Sequence, residues 1–140
     1  MKQLAMLVTC LLFVLGALEG AKADGVPRWS DEILYFVLID RFADGDATNN
    51  ARIERRNPGG YHGGDLKGLM SQLDELADLG VTALWINPVQ KQMAQGMYAR
   101  APGKLGIADF MHWGFHGYWI DDFKAMEPQF GTREDLKALV

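Results

Sequence analysis

Two short apolar runs with a helical stretch between them constrain this chain more than any other feature. Ile33 to Ile39 (Ile-Leu-Tyr-Phe-Val-Leu-Ile) is continuous and β-prone, and Val81 to Ile86 is a second such run, closed by Asn87-Pro88. Runs that are apolar at every position, rather than at alternate ones, belong to strands covered on both faces. Between them Leu66, Leu69, Met70, Leu73, Leu76, Ala77 and Leu79 recur at helical spacing, and Gly80 stands where such a helix stops. Strand, helix, strand in this order predicts a parallel β-α-β unit with a right-handed crossover. Two parallel strands cannot cover their own faces, so the unit calls for further strands and helices on both sides.

The rest of the chain fits that demand. Gln90 to Phe115 is rich in Gly, Met and Ala and has no sustained period, which predicts a long loop. It follows the C-terminal end of a strand, the side on which α/β folds build their sites. Thr132-Arg133-Glu134-Asp135 predicts a helix N-cap with an acidic first turn, and Leu136, Leu139 and Val140 begin its apolar face. These elements are expected to be the N-terminal part of a larger α/β domain rather than a small complete domain of unusual shape.

The first residues read as an address. Lys2 supplies a positive start, Leu4 to Leu18 is almost wholly apolar, and Ala21-Lys22-Ala23 has the small-x-small pattern of a cleavage site. This predicts a secretory signal peptide over 1–23, and the apolar run falls short of the ~20 residues of a membrane span. Cleavage would remove Cys10, the single cysteine, so an exported product would rely on its core, a bound metal, or both. The expected location is secreted or periplasmic, with no stable membrane association after signal cleavage. A net charge of −4 with no basic run gives no reason to expect nucleic acid or anionic lipid as a partner.

Several constellations can carry chemistry. His116-Gly117-Tyr118-Trp119-Ile120-Asp121-Asp122-Phe123 places an imidazole, a phenol, an indole and two carboxylates within one short stretch. Flat aromatic faces beside hydrogen-bonding groups suit a polar ligand with apolar faces, such as a sugar ring, although adjacent core aromatics would look the same. Asp44-Gly45-Asp46-Ala47-Thr48-Asn49-Asn50, with Asp65 after Gly63-Gly64, gathers hard oxygen donors of the kind Ca²⁺ requires. An ordinary Asx-rich turn has the same composition, and the EF-hand pattern is absent. His112 and His116 are spaced as a zinc pair, but Gly114 disfavours the helix this needs and no third ligand is evident. Gly59-Gly60-Tyr61-His62-Gly63-Gly64 lacks the Gly-Lys-Ser/Thr ending of a phosphate loop.

Taken in order, four segments resemble the opening of glycoside hydrolase family 13, the α-amylase family, which includes cyclodextrin glucanotransferases and maltogenic amylases. They are Ile39-Asp40-Arg41-Phe42-Ala43-Asp44-Gly45-Asp46, Tyr61-His62-Gly63-Gly64-Asp65-Leu66-Lys67-Gly68, Leu79 to Val89 and His116-Gly117-Tyr118-Trp119. The resemblance implies a (β/α)₈ TIM barrel, incomplete in this chain. Residues 24–140 would hold strand one, helix one, strand two, a long loop and the start of helix two. By similarity Tyr118 stacks on the sugar at the cleavage point, His116 hydrogen-bonds the same or the adjacent sugar, and Trp119 packs beside them. The calcium site of glucanotransferase-like members maps to Asp44, Asp46, Asn49, Asn50, the Gly63 carbonyl and Asp65. Asp46 stands where those members often have asparagine, and Tyr61-His62 replaces a cysteine pair found in some of them.

The implied chemistry is retaining hydrolysis of, or transfer across, the α-1,4 bonds of starch and maltooligosaccharides by two carboxylates. In this family the catalytic carboxylates come from later barrel strands, so none is expected in this chain. Asp40, beside Arg41 at a strand end, is expected to be a structural ion-pair member. A non-catalytic carbohydrate-binding protein, or a calcium-stabilised exported domain, is the alternative that the same residues leave open.

Overall fold

The structure is a computed structural model and describes residues 28–99 and 110–140. The expected signal segment lies outside the described residues, as does the middle of the glycine-rich stretch at 100–109. The chain divides into a unit ending at Asp31, described only as a 3-10 turn over Trp29–Asp31, and a unit over Glu32–Val140 that holds everything below. No helix among the described residues is long and apolar enough to cross a membrane.

The two apolar runs form β1 (Leu34–Val37) and β2 (Ala83–Ile86), paired in parallel with Leu34 opposite Ala83 and Val37 opposite Ile86. At their C-terminal ends Asn87 continues the pairing: its amide donates to the Val37 carbonyl at 3.3 Å, and its side-chain Oδ1 accepts from Ile39 N at 2.8 Å. Leu34, Phe36 and Trp85 are about half exposed within this segment, at 53%, 49% and 55%. Strands apolar on both faces, with cover on only one, are what the sequence implied for a unit that needs more neighbours.

The helical stretch is split in two. Helix α1 (Leu66–Met70) is capped by the Asp65 carboxylate, which accepts from Gly68 N, and α2 runs over Leu73–Asp78. The break has a local cause: Ser71 Oγ donates back to the Gly68 carbonyl at 2.7 Å, and Gln72 N bonds the Leu69 carbonyl three residues back. Such hydroxyl-to-backbone bonds compete with the helical ladder. The predicted stop at Gly80 is a left-handed cap, with φ +93°, Gly80 N bonding the Ala77 carbonyl and Val81 N bonding the Leu76 carbonyl.

The stretch after β2 is more ordered than its composition suggested. It contains β3 (Gln90–Gln92), β4 (Met97–Ala99) and β5 (Phe110–His112), followed by a 3-10 turn (Gly114–His116) and β6 (Ile120–Met126). β4 pairs antiparallel with β5, and β3 with β6, the latter through a bulged register. Each ladder is short and mostly exposed, so neither leaves the alternating apolar signature that would reveal it. Helix α3 (Arg133–Leu139) starts on a capping box: Thr132 accepts from Asp135 N while the Asp135 side chain accepts from Thr132 N at 2.7 Å.

Two apolar clusters hold these pieces. Val37, Leu69 and Leu76 pack β1 against the helices, and Ile39, Tyr61, Leu66, Val89 and Phe130 join the strand ends to the loops above them. The loops that carry the candidate site residues therefore stand on the second cluster, at the C-terminal ends of β1 and β2.

Candidate active-site platform and metal loop

Asp40 is the hub between the two regions. Its carboxylate, almost fully buried, pairs with Arg41 and accepts from His62 N at 3.0 Å and Gly63 N at 3.3 Å. Arg41 in turn donates to the carbonyls of Pro58 and Gly60, both at 2.9 Å, and lies over the Phe115 ring, 3.8 Å from its centroid. The carboxylate is thus consumed by structural partners, as its strand-end position beside an arginine implied.

On one side of this hub lies the acidic loop. Asp65 Oδ1 accepts from Gly45 N and Gly68 N, and Oδ2 from Asp46 N and the Asn49 side-chain amide. Asp44 Oδ2 accepts from the Asn50 amide and from Arg55, both at 2.8 Å. Asp46 accepts from Thr48 N and Thr48 Oγ, and pairs with Lys67 at 2.5 Å. The Lys67 and Thr48 bonds hold the half-buried Asp46 carboxyl down at a pKa of about 2. Asp46, Asn49 and Asp65 thus share one hydrogen-bonded set, Asp44 and Asn50 share a second, and Gly63 N bonds Asp40 instead.

Whether the loop suits a cation can be judged from what it leaves unpaired. Asn49 Oδ1 and Asn50 Oδ1 are buried acceptors without a donor, an arrangement that costs free energy unless something positive faces them. Gly63, at φ +97°, lies beside Asn50: a Cβ there would sit 2.9 Å from Asn50 Oδ1 and 3.1 Å from Asp44 Oδ2. The Asn50 oxygen and the Asp44 carboxylate beside the side-chain-free backbone of Gly63 are oxygen donors of the kind a hard cation takes, and Asn49 leaves a second orphan oxygen in the same loop. Among the described residues no three His, Cys, Asp or Glu side chains converge as metal ligands, so a metal here would depend on the amide and carbonyl oxygens. Sequence reading overlooked Arg55 and Lys67, which look like ordinary surface cations until the fold sets them against Asp44 and Asp46.

On the other side lies the aromatic platform. The 3-10 turn ends at Gly117 in the left-handed region (φ +87°), which reverses the chain so that His116 and Tyr118 project together. Their rings lie nearly parallel, 5.9 Å between centroids and 19° between planes, and Trp119 meets His116 edge-on at 4.9 Å. Tyr118 is 60% exposed and offers a free face, whereas His116 and Trp119 are half-buried. His116 Nδ1 accepts from Tyr118 N at 3.0 Å, which leaves the ring proton on Nε2 as an available donor. Burial, and secondarily the neighbouring His112, lower the His116 pKa and keep that imidazole neutral. The shelf is a flat apolar face with a directional donor beside it.

The support beneath the platform was not visible in the sequence. Gln92 is buried, its Oε1 accepts from Trp119 N at 2.8 Å, and its own N–H donates to the buried Glu127 carboxylate at 2.9 Å. Gly117 packs so closely on the end of β2 that a Cβ would sit 2.2 Å from the Pro88 carbonyl oxygen. Asp121 and Asp122, by contrast, are both exposed, on opposite faces of β6.

Residues 36–140 match the family described as "Alpha amylase, catalytic domain". The chain is 38% identical over 117 residues to a periplasmic alpha-amylase of Escherichia coli, covering 80% of this chain and 17% of that protein. It is 37% identical over 113 residues to a cyclomaltodextrin glucanotransferase of Klebsiella oxytoca, covering 77% of this chain and 16% of that one. Its fold superposes on the crystal structure of a Geobacillus thermoleovorans alpha-amylase complexed with acarbose, with a TM-score of 0.59, 41% identity, and coverage of 82% of this chain and 20% of that one. The chain thus spans between a sixth and a fifth of the length of these relatives. With its parallel β-α-β opening, its strand-end loops and this matched span, the chain belongs to the α-amylase catalytic-domain family and has the fold of part of a (β/α)₈ barrel.

Proposed function

We propose that the chain is the opening portion of the catalytic barrel of an exported glycoside hydrolase or glucanotransferase acting on α-1,4-glucans. Residues 1–23 are its signal peptide and residues 24–140 the first part of the barrel. Tyr118 stacks on the sugar at the bond to be cleaved, His116 Nε2 donates to a hydroxyl of that sugar or its neighbour, and Trp119 braces the histidine edge-on. The observation that carries this reading is the exposed Tyr118 ring, set parallel to a neutral His116 above the ends of β1 and β2. A retaining mechanism needs two carboxylates about 5–5.5 Å apart. Asp40 is already committed to Arg41 and to backbone amides, so that pair is assigned to segments beyond this one.

Calcium is proposed for the acidic loop, held by Asp44, Asp46, Asn49, Asn50, the Gly63 carbonyl and Asp65. Bound there, it would neutralise the loop's carboxylates and satisfy the two orphan amide oxygens. The similarity of the chain to a periplasmic enzyme supports export.

The test is Tyr118→Ala in the full-length protein, assayed on maltooligosaccharides. A platform at the reacting sugar predicts a loss in kcat/KM on the order of tenfold or more, since misplacement of a bound reactant is costly in rate. Thermal stability should stay close to that of the parent, because the ring is mostly exposed. Unchanged kcat/KM, or a parent protein that does not turn over α-glucans, would refute the assignment.

A further inference from the structure

Tyr118 raises a question that its own contacts do not answer. A stacking ring must be held in one direction, yet this ring is 60% exposed and, among the described residues, stacks on His116 alone. Its direction is therefore set by the backbone on either side, at Gly117 and Trp119. Both of those flanks are tied to one side chain. Gln92 Oε1 accepts from Trp119 N at 2.8 Å, and Gln92 Nε2 donates to the Gly117 carbonyl at 3.2 Å and to the Gln90 carbonyl at 2.7 Å.

The amide is itself immobilised. Gln92 is 2% exposed, its N–H donates to Glu127 Oε2 at 2.9 Å, and Met93 N next to it donates to the Trp119 carbonyl at 2.8 Å. The turn lies directly on this side chain: a Cβ at Gly114 would come within 2.7 Å of Gln92 Cβ and 3.0 Å of its Oε1. Every polar atom of the amide is satisfied, and every bond except that to Gln90 goes to the backbone carrying the platform. Buried, fully satisfied polar groups of this kind specify one geometry where an apolar residue of the same size would only fill space.

We infer that Gln92 is a positioning residue for the Tyr118 platform, fixing the Gly117–Trp119 backbone so that the tyrosine ring meets the reacting sugar in one orientation. This rests on the sugar-stacking reading of Tyr118 given above. Gln92 is buried beneath the turn, so its effect on the reaction passes through Tyr118.

A double-mutant cycle in the full-length enzyme tests it, using Gln92→Met, which keeps the volume and removes all three side-chain hydrogen bonds, with Tyr118→Ala as the second change. Gln92→Asn, which keeps the chemistry but withdraws its reach, serves as a gentler variant should the methionine prevent folding. Positioning predicts that either Gln92 change lowers kcat on maltooligosaccharides by about tenfold to a hundredfold with a smaller effect on KM. In the Tyr118→Ala background the same change should have little further effect on kcat. A purely structural glutamine would instead lower the melting temperature in both backgrounds and leave kcat of the folded enzyme unchanged, and that result would overturn the inference, as would equal losses of kcat in both backgrounds. The outcomes remain distinct from failure of the parent reading: a silent Tyr118→Ala removes the platform itself, whereas an effective Tyr118→Ala with a silent Gln92→Met removes only the role of Gln92.

Discussion

Gly117→Ala offers a test of how the platform is seated, with a built-in control at Gly80. Both glycines occupy the left-handed region, at φ +87° and φ +93°. An alanine at either pays about 1–2 kcal/mol for that conformation. The two sites differ in the space a Cβ would enter. At Gly80 the nearest atom is Ile33 Cδ1 at 3.9 Å, ordinary contact, whereas at Gly117 the Pro88 carbonyl oxygen lies at 2.2 Å and Asn87 Nδ2 at 2.9 Å. Neither obstacle is a flexible side-chain end. The Pro88 carbonyl is backbone, and the same Asn87 side chain holds Ile39 N at the end of β1.

Relieving such an overlap adds about 1–3 kcal/mol, the usual cost of overpacking a close-packed site. Gly80→Ala is therefore expected to cost about 1–2 kcal/mol, and Gly117→Ala about 2–5 kcal/mol by the sum of the two effects. Urea unfolding of the full-length protein, with midpoints compared at a common m-value, reads the difference. The same displacement moves Tyr118, so Gly117→Ala should also lose kcat/KM on maltooligosaccharides while Gly80→Ala keeps it. Equal destabilisation by the two substitutions, to within about 0.5 kcal/mol, would refute the claim that the turn is pressed against the end of β2.

Three further outcomes are expected. Thr132→Ala removes one arm of the capping box on α3 and should cost about 1 kcal/mol, measured by the same unfolding assay; no change would mean the cap is not formed in solution. Saturating chelator should lower the melting temperature if the Asp44–Asn50 loop holds calcium, because a ligand at a hundred times its Kd contributes about 2.7 kcal/mol. Asn50→Ala should shrink that chelator-sensitive increment, and a melting temperature indifferent to chelator would remove the metal. For His116 the folded-state pKa lies below the ordinary value of 6.5 because burial, then His112, disfavour the charged ring. The unfolded chain therefore binds the proton first, so stability is highest above pH 6.5 and declines as pH falls below it toward the lowered folded value. His116→Gln should flatten that part of the urea-midpoint profile, and an unaltered slope would assign it to other groups.

Much of this protein was legible in its residues because the relevant signals are local. The apolar runs at Ile33–Ile39 and Val81–Ile86 announce buried parallel strands, Gly80 announces a left-handed helix stop, and Thr132 with Asp135 announces a cap. The hard-oxygen composition of the Asp44–Asn50 loop, with Gly63 and Asp65, is legible as well, and its assignment to a cation comes only through resemblance to a known family. The helix break at Ser71 was missed because a hydroxyl that bonds back to Gly68 looks the same in sequence as one that points to solvent. The antiparallel ladders of β3 to β6 were missed because short exposed strands of mixed composition carry no period.

What the sequence determined by itself is therefore the set of elements and the chemical types available: strands that need partners, a loop rich in hard oxygens, and an aromatic cluster beside a histidine. Tertiary structure decided what those groups do for one another. Arg55 and Lys67 became counter-ions of the acidic loop only when the chain folded back across it. Asn49 and Asn50 became orphan acceptors only once buried. Gln92 became the post beneath Tyr118 only when β3 paired with β6. Each of these depends on distances between residues far apart in the chain, and only packing sets such distances.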